Sequence, residues 1–160
     1  MNINNAVKAG FSFGLTSGII TTMGLMVGLH SGTHSKVAVI GGILTIAVAD
    51  SFSDALGMHV SQESHNGNSN KDIWTSTVAT FIAKLIFALT FVIPLLITDV
   101  DSAVWINIIW GFLVIGVFSY LVAKQRKSNP WEAIREHLTI GVIVIIITHY
   151  VGDLIGKVFG

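Results

Sequence analysis

Asp50, Asp54 and Met58 recur at four-residue intervals within TIAVADSFSDALGMHVSQES, residues 45–64, in one of the most apolar parts of the chain. Residues at i, i+4 and i+8 share one face of an α-helix. The two carboxylates and the thioether therefore form a stripe, with Ser61 close to the same line. Two oxygens and a sulfur suit a borderline divalent cation such as Fe2+ or Mn2+ better than Ca2+ or Mg2+. Protons compete with a metal for the same carboxylates, and that competition is the chemistry a metal/proton exchanger needs. His59 and Glu63 form a second i, i+4 pair beside the stripe.

The composition of the elements that hold this stripe points to a bilayer as their solvent. Only 11% of the 160 residues are charged, against about 25% in ordinary soluble proteins. Apolar residues make up 52% of the chain, and the mean hydropathy is +0.73. A soluble domain of this size needs more polar residues to cover its large relative surface. The formal net charge is zero, which gives no support for a general electrostatic role on nucleic acid. The absence of cysteine removes disulfides, zinc–thiolate sites and thiol catalysis together. No small-residue cleavage site follows the first apolar run, so that run reads as an uncleaved span.

A hydrocarbon core of about 30 Å takes about 20 helical residues to cross. Five segments qualify, at about 9–29, 37–61, 74–97, 103–123 and 137–158, and the chain reads as one five-helix transmembrane domain over 1–160. The gaps HSGTHSK, QESHNGNSNKD, TDVDS and KQRKSNPWEAIRE are short and polar. Lys124, Arg126, Lys127 and Arg135 lie between the fourth and fifth spans, and the positive-inside rule makes that loop cytoplasmic. Counting back, the N-terminus and the loop at 62–72 are cytoplasmic, and the C-terminus lies on the opposite side. The acidic pair Asp99 and Asp101 falls on that far side. Trp74, Trp105 and Trp131 sit near span ends, where amphipathic rings prefer the interface. On this topology Asp50 falls near the bilayer midplane, with Asp54 about 6 Å nearer the cytoplasm.

A carboxylate at that depth costs several kcal/mol and usually faces a cavity on an ion or proton path. The structural counter-reading is an ion pair, because Lys84 lies mid-span in the third helix and can neutralise Asp50 or Asp54. His149 and Asp153, one turn apart, form a second possible polar lock. His30 and His34, in a short loop, read as solvated histidines, and Met23 and Met26 as core or lipid-facing filler. Gly10, Gly14 and Gly18 let two helix backbones approach closely, either within the chain or at a dimer seam. Ser17, Thr21, Gly24 and Gly28 make a second small stripe. Gly152, Gly156 and Gly160 mark another close-packing face. With no H-E-x-x-H, no nucleophile–base spacing and no phosphate-cradling loop, the chain does not read as an enzyme.

FGLTSGIITTMGLMVG resembles the first-helix signature of the vacuolar iron transporter and yeast calcium-cross-complementer family, roughly F-G-x-x-D-G followed by hydrophobic residues. SDALGMHVSQES resembles its second-helix pattern, roughly S-M-x-x-G-x-x-x-x-x-x-S. FVIPLL resembles its third-helix element, and IGVFSYLVAK and HLTIGVIVIIITHYVGDLIG fit its last two helices. The resemblance covers nearly the whole chain. It implies a homodimeric five-helix transporter that moves Fe2+, often Mn2+, out of the cytosol in exchange for protons. The path would run between the first and second helices at the dimer seam. That assigns Gly10, Gly14 and Gly18 to the seam, with Ser17 and Thr21 offering neutral oxygens across it.

The departures from the pattern are specific. Ser17 stands at the family's first-helix Asp position, Asp54 at its second-helix Met position, and Ile46 where some members carry an acid. Either the carboxylates have been relocated along the path or iron transport has been lost or retuned. The short loop QESHNGNSNKD resembles the branch lacking a cytoplasmic metal-binding insertion. The expectation is thus an all-α, multi-pass antiporter with Asp50, Asp54 and Met58 as metal ligands and Ser17, Thr21, Ser61, His59, Glu63 and Lys84 on the pathway. Its partners are a second copy, the bilayer, a metal ion and protons as substrates, and it has no prosthetic group and no nucleic-acid partner. The rival readings are a non-transporting scaffold or regulator with its buried charges paired, and a monovalent cation or proton path using the same acids.

Overall fold

The computed structural model describes residues 3–65 and 67–160, and its secondary structure there is helical, without strands. The helices are α1 (Ile3–Thr33), α2 (Lys36–Glu63), α3 (Asn70–Thr90), α4 (Val92–Ile97), α5 (Val100–Gln125) and α6 (Pro130–Phe159). With α3 and α4 taken as one span, five helices are long and apolar enough to cross a membrane, which fits a multi-pass integral membrane protein. Each extends beyond the apolar run that marks it. Hydropathy marks the residues immersed in hydrocarbon, whereas backbone hydrogen bonding continues into the polar interface. The loops accordingly contract, and His30 lies inside α1 rather than in a loop.

The helix ends follow from local chemistry. Ser69, Asp99 and Asn129 each cap a helix by accepting a backbone N–H, from Asp72 at 3.2 Å, Ser102 at 2.9 Å and Trp131 at 3.1 Å; Pro130 occupies the first turn of α6, where a missing N–H costs nothing. Bonds from Ser102 hold the Asp99 carboxyl below its ordinary pKa. That cap is therefore fully present above the usual carboxylate range and fades as pH falls through the lowered value. α3 stops at Thr90, four residues before Pro94, because the proline ring clashes with the carbonyl at i−4. α1 and α5 end on left-handed residues, His34 (φ 49°) and Lys127 (φ 56°). The N–H groups of Lys127 and Ser128 close back on Lys124 O at 3.2 Å and Ala123 O at 3.0 Å, a Schellman motif without its usual glycine.

Many large apolar side chains point outward, and small or polar residues share the interior with a few large ones such as Ile19, Ile43, Phe91 and Ile115. Phe52, Leu56, Ile109, Leu113, Ile147 and Leu154 are exposed, while Ala47, Ser51, Ser76, Thr80, Ala83 and Ser119 are buried. Lipid tails are as apolar as leucine, so burying large aliphatics gives little drive for association; close backbone packing through small residues is what brings membrane helices together.

The described residues fall into two compact units. One holds α1 through Thr22, α2 from Ile43, and α3. In it Gly10, Gly14 and Gly18 lie against Ser76, Thr80 and Lys84 of α3. A β-carbon at Gly10 would fall 2.2 Å from Ser76 O, one at Gly14 2.4 Å from Thr80 O, and one at Gly18 3.1 Å from Lys84 O. Both series step by four residues in the same direction, so α1 and α3 run parallel. The first glycine stripe is therefore occupied within the chain, by α3. α2 runs antiparallel to α3, with Phe52 on Phe81 at 4.7 Å between ring centroids and His59 on Trp74 at 4.7 Å.

The other unit comprises Met23–Gly42 and Ile93–Gly160. Here the second glycine run of α1 meets α6. A β-carbon at Gly32 would lie 2.9 Å from Gly152 O, and one at Gly152 would lie 2.2 Å from Gly28 O. Met23 and Met26 are fully buried, and the Asn107 amide donates to Met26 Sδ at 3.3 Å. Ser119 Oγ and His137 Nδ1 join α5 to α6 at 2.7 Å.

The α1–α3 contact gives a direct test. Gly14→Ala adds a methyl 2.4 Å from a backbone oxygen and should lower stability by about 1–3 kcal/mol. Gly116→Ala meets nothing within 4 Å and should raise it by up to about 1 kcal/mol through helix propensity. Thermal melting of the purified variants in detergent reads both, and equal melting temperatures would contradict the packing described.

Candidate functional site

The register of α1 on α3 brings Lys84 beside Gly18 and hence beside Ser17. Asp50 and Asp54, one turn apart on α2, approach the same point in that unit. The Lys84 ammonium lies 2.5 Å from Asp54 Oδ2 and 2.5 Å from Asp50 Oδ2. It also donates to Ser17 Oγ at 2.9 Å, and the Ser17 hydroxyl donates to Asp54 Oδ2 at 2.6 Å. Ser17, Asp54 and Lys84 thus close a small ring of hydrogen bonds, the charge-assisted kind that is shorter and stronger than neutral ones. The Asp50 contact is ionic and lies outside hydrogen-bonding angles. Its Oδ2 is buried and accepts no hydrogen bond among the described residues.

The burial of the three charges is unequal. The Lys84 side chain is 2% exposed, against 25% for Asp50 and 19% for Asp54. A lysine can be held that deep because Asp54 and Ser17 accept two of its N–H donors and the Asp50 carboxylate adds an ion-pair contact. The acids keep one side open. The formal charge of the cluster is −1, from two carboxylates and one ammonium.

Of the residues singled out in the sequence, Asp50, Asp54, Lys84 and Ser17 come together, and Lys84 pairs with both acids rather than one. Met58 does not join them: its sulfur accepts from Gln62 Nε2 at 3.7 Å, one turn nearer the helix end. Thr21 spends its hydroxyl on Ser17 O, at 2.5 Å. His59 Nδ1 lies 3.2 Å from Thr77 Oγ1. Ser61 and Glu63 are exposed, and Ser61 O accepts from Ser64 Oγ at 2.8 Å and bonds His65 Nδ1 at 2.7 Å. The reach of a metal site to Met58, Thr21, Ser61, His59 or Glu63 is therefore not formed in this conformation. Helical spacing puts residues on one face, but side-chain rotamers and hydroxyl back-bonding decide which of them meet.

Two further polar groupings lie in the other unit. His149 Nδ1 is 2.6 Å from Ser31 Oγ, while its Nε2 is 3.8 Å from Asp153 Oδ2. The His149–Asp153 pair is thus loose, and the tighter partner is on α1. His30 Nε2 lies 2.7 Å from Asp101 Oδ1. That partner is 71 positions away, which sequence spacing does not reveal; the i, i+4 relation of His30 and His34 was the available signal.

Compared with known proteins, the chain matches no family model and no curated protein.

Removing the Lys84 ammonium leaves both carboxylates unpaired. Lys84→Met should destabilise the protein by up to about 3–5 kcal/mol, the cost of breaking a buried pair, reduced by whatever water reaches the partly open acids. Asp54→Asn added to Lys84→Met removes one orphaned carboxylate and should recover part of that loss. Melting in detergent tests the pair of variants; strict additivity of the two effects would mean that the residues do not interact.

Proposed function

We propose that the chain is a membrane transporter that carries a divalent transition-metal cation, Fe2+ or Mn2+, out of the cytosol in exchange for protons. The observation that supports this reading is the convergence of Asp50, Asp54 and Ser17 oxygens on one cationic group within the membrane spans. Such carboxylates mark ion and proton paths. Lys84 occupies the position a cargo cation takes. A metal on these oxygens would sit beside the Lys84 ammonium, and the repulsion between the two cations favours withdrawal of the ammonium as the metal binds. Protons compete with the metal for the same carboxylates. Asp50 and Asp54 hold the metal, Ser17 supplies a neutral oxygen, and Met58 can join only after its contact with Gln62 breaks. The resemblance of the helix motifs to the vacuolar iron transporter family supports the same class of cargo. The cytoplasmic side is then that of the N-terminus and of Lys124, Arg126 and Lys127.

The acids' open side also supports a homodimer. Thr45, Ala49, Ser53, Gly57 and Ser61 form an exposed small-residue row along α2, next to Asp50 and Asp54, and nothing lies within 4 Å of a β-carbon placed on Gly57. Two copies meeting along this row would enclose the carboxylates between them. The seam is thus on α2, in place of the glycine stripe on α1.

A second reading, a non-transporting scaffold, is favoured by the near-complete burial of Lys84, which is 2% exposed. Liposome flux separates the two. Reconstituted protein should take up Mn2+ and Fe2+ when a pH gradient is imposed, with Ca2+ excluded. Asp50→Asn and Asp54→Asn should each reduce the flux more than about tenfold, as loss of a metal ligand does. Flux no greater than in empty liposomes would leave the scaffold reading standing. For the dimer, the cysteine-free chain offers a clean background: Ser53→Cys should form a disulfide-linked dimer in membranes, and Val78→Cys, exposed on α3, should not. Equal cross-linking at both positions would refute the α2 seam.

A further inference from the structure

We propose that His30, His34 and Asp101 form a separate binding site for one divalent first-row transition-metal ion, where α1 ends and α5 begins. It lies outside the carboxylate cluster and stands whether or not that cluster carries cargo.

The geometry starts from the end of α1. His30 and His34 are one turn apart, the spacing that puts two imidazoles on one side of a helix for a shared metal. His34 is the residue after the last helical one. Its left-handed backbone (φ 49°) lets its N–H close on His30 O at 2.9 Å, an αL cap that glycine usually supplies. The cap turns the His34 ring back toward His30, with centroids 5.3 Å apart and planes at 79°. Edge-on rings at that distance let nitrogens of both point to a common position.

The third ligand comes from α5. Asp101 lies in its first turn, fixed by the Asp99 cap. Lys36 Nζ donates to Thr98 O at 2.8 Å, which ties the start of α2 to the segment before α5. One ligand atom from each of His30, His34 and Asp101 lies within 4.8 Å of the others. The shortest separation is His30 Nε2 to Asp101 Oδ1, 2.7 Å. A metal about 2.1 Å from each ligand spaces them about 3.0 Å apart at octahedral angles and about 3.4 Å at tetrahedral ones. At octahedral angles the short contact must open by about 0.3 Å and the widest close by at most about 1.8 Å; at tetrahedral angles the changes are about 0.7 Å and at most about 1.4 Å. The burial pattern permits this: the His30 side chain is 18% exposed and anchored, whereas that of Asp101 is 75% exposed and His34 is exposed, so both are free to rotate.

The donor set names the class of ion. Two imidazoles and one carboxylate select Fe2+, Co2+, Ni2+, Cu2+ or Zn2+ over Mg2+ and Ca2+, which take oxygen ligands. Three protein ligands leave coordination positions to water, as in sites that exchange or react rather than in closed structural ones. The alternative role for these residues is a plain hydrogen-bonded latch between α1 and α5, which needs His30 and Asp101 but not His34.

The test uses the full-length protein in detergent, free of any polyhistidine tag, with Co2+ and Cu2+ as probes. Equilibrium dialysis should find one Co2+ fewer per chain in H30Q/H34Q than in the wild type. Electron paramagnetic resonance of bound Cu2+ should show hyperfine structure from two imidazole nitrogens, lost in H30Q/H34Q and unchanged in H59Q/H65Q. D101N should weaken Co2+ binding about tenfold or more. Equal Co2+ stoichiometry in H30Q/H34Q and wild type, or a nitrogen signal that persists in that variant, overturns the proposal. Should H30Q/H34Q fold poorly, H34Q alone, altered at an exposed position, must still lose one nitrogen from the spectrum. An unchanged H34Q spectrum would return these residues to the role of a latch.

Discussion

The placement of one lysine ammonium between two carboxylates inside the spans is the constraint on which the rest of this half of the molecule depends. A buried ammonium is tolerated only when it is hydrogen-bonded and paired, and Lys84 donates to Asp54 and Ser17 and is ion-paired with both Asp50 and Asp54. These four residues come from three helices. Each helix must therefore hold a fixed rotation and a fixed height, and the small-residue contacts provide both. Gly18 has Lys84 backbone atoms 3.1 to 3.2 Å from where a β-carbon would sit. A β-carbon there would require the Lys84 backbone, and with it the ammonium's anchor, to give by a few tenths of an ångström. The glycine stripe and the charge cluster are thus one device: close packing sets the register, and the register places the charge.

The spans, their order and the helical class were legible because hydropathy at helical scale is a strong signal, and the chain's composition left no alternative solvent. The helix ends were not, since capping by Ser69, Asp99 and Asn129 and the left-handed stops at His34 and Lys127 depend on local hydrogen bonds rather than on apolar runs. The partner of the α2 acids was legible as an option, because Lys84 is the lone charge deep in its span. That it would meet both acids required the α1–α3 register. The period-four series Ser76, Thr80, Lys84 was present in the sequence, but nothing in one sequence aligns it with Gly10, Gly14, Gly18.

Met58 shows the limit of face-sharing arguments. It lies one turn from Asp54 on the same stripe, yet its flexible side chain reaches Gln62 instead. Thr21 shows a related limit: a helical threonine bonds its own backbone at i−4 whenever no stronger acceptor is in reach, and Ser17 O takes it here. Ser17 escapes the same fate because a carboxylate oxygen and an ammonium both lie within hydrogen-bonding distance. Neighbouring charge, rather than position on the helix, decides which hydroxyl enters the cluster.

The stoichiometry of the cluster bears on its purpose. A lock that merely joins α2 to α3 needs one acid for one lysine, and a well-packed apolar pair would serve stability as well or better. Here a second carboxylate is added one turn away, which leaves a formal charge of −1 and an Asp50 oxygen with an ion-pair contact but no hydrogen bond. In a medium of low dielectric that excess charge is costly unless another positive charge is available at least part of the time. The open side of Asp50 and Asp54 is where such a charge can arrive. The second carboxylate leaves the cluster able to accept one further positive charge, a proton or another cation, on the side that Lys84 does not occupy.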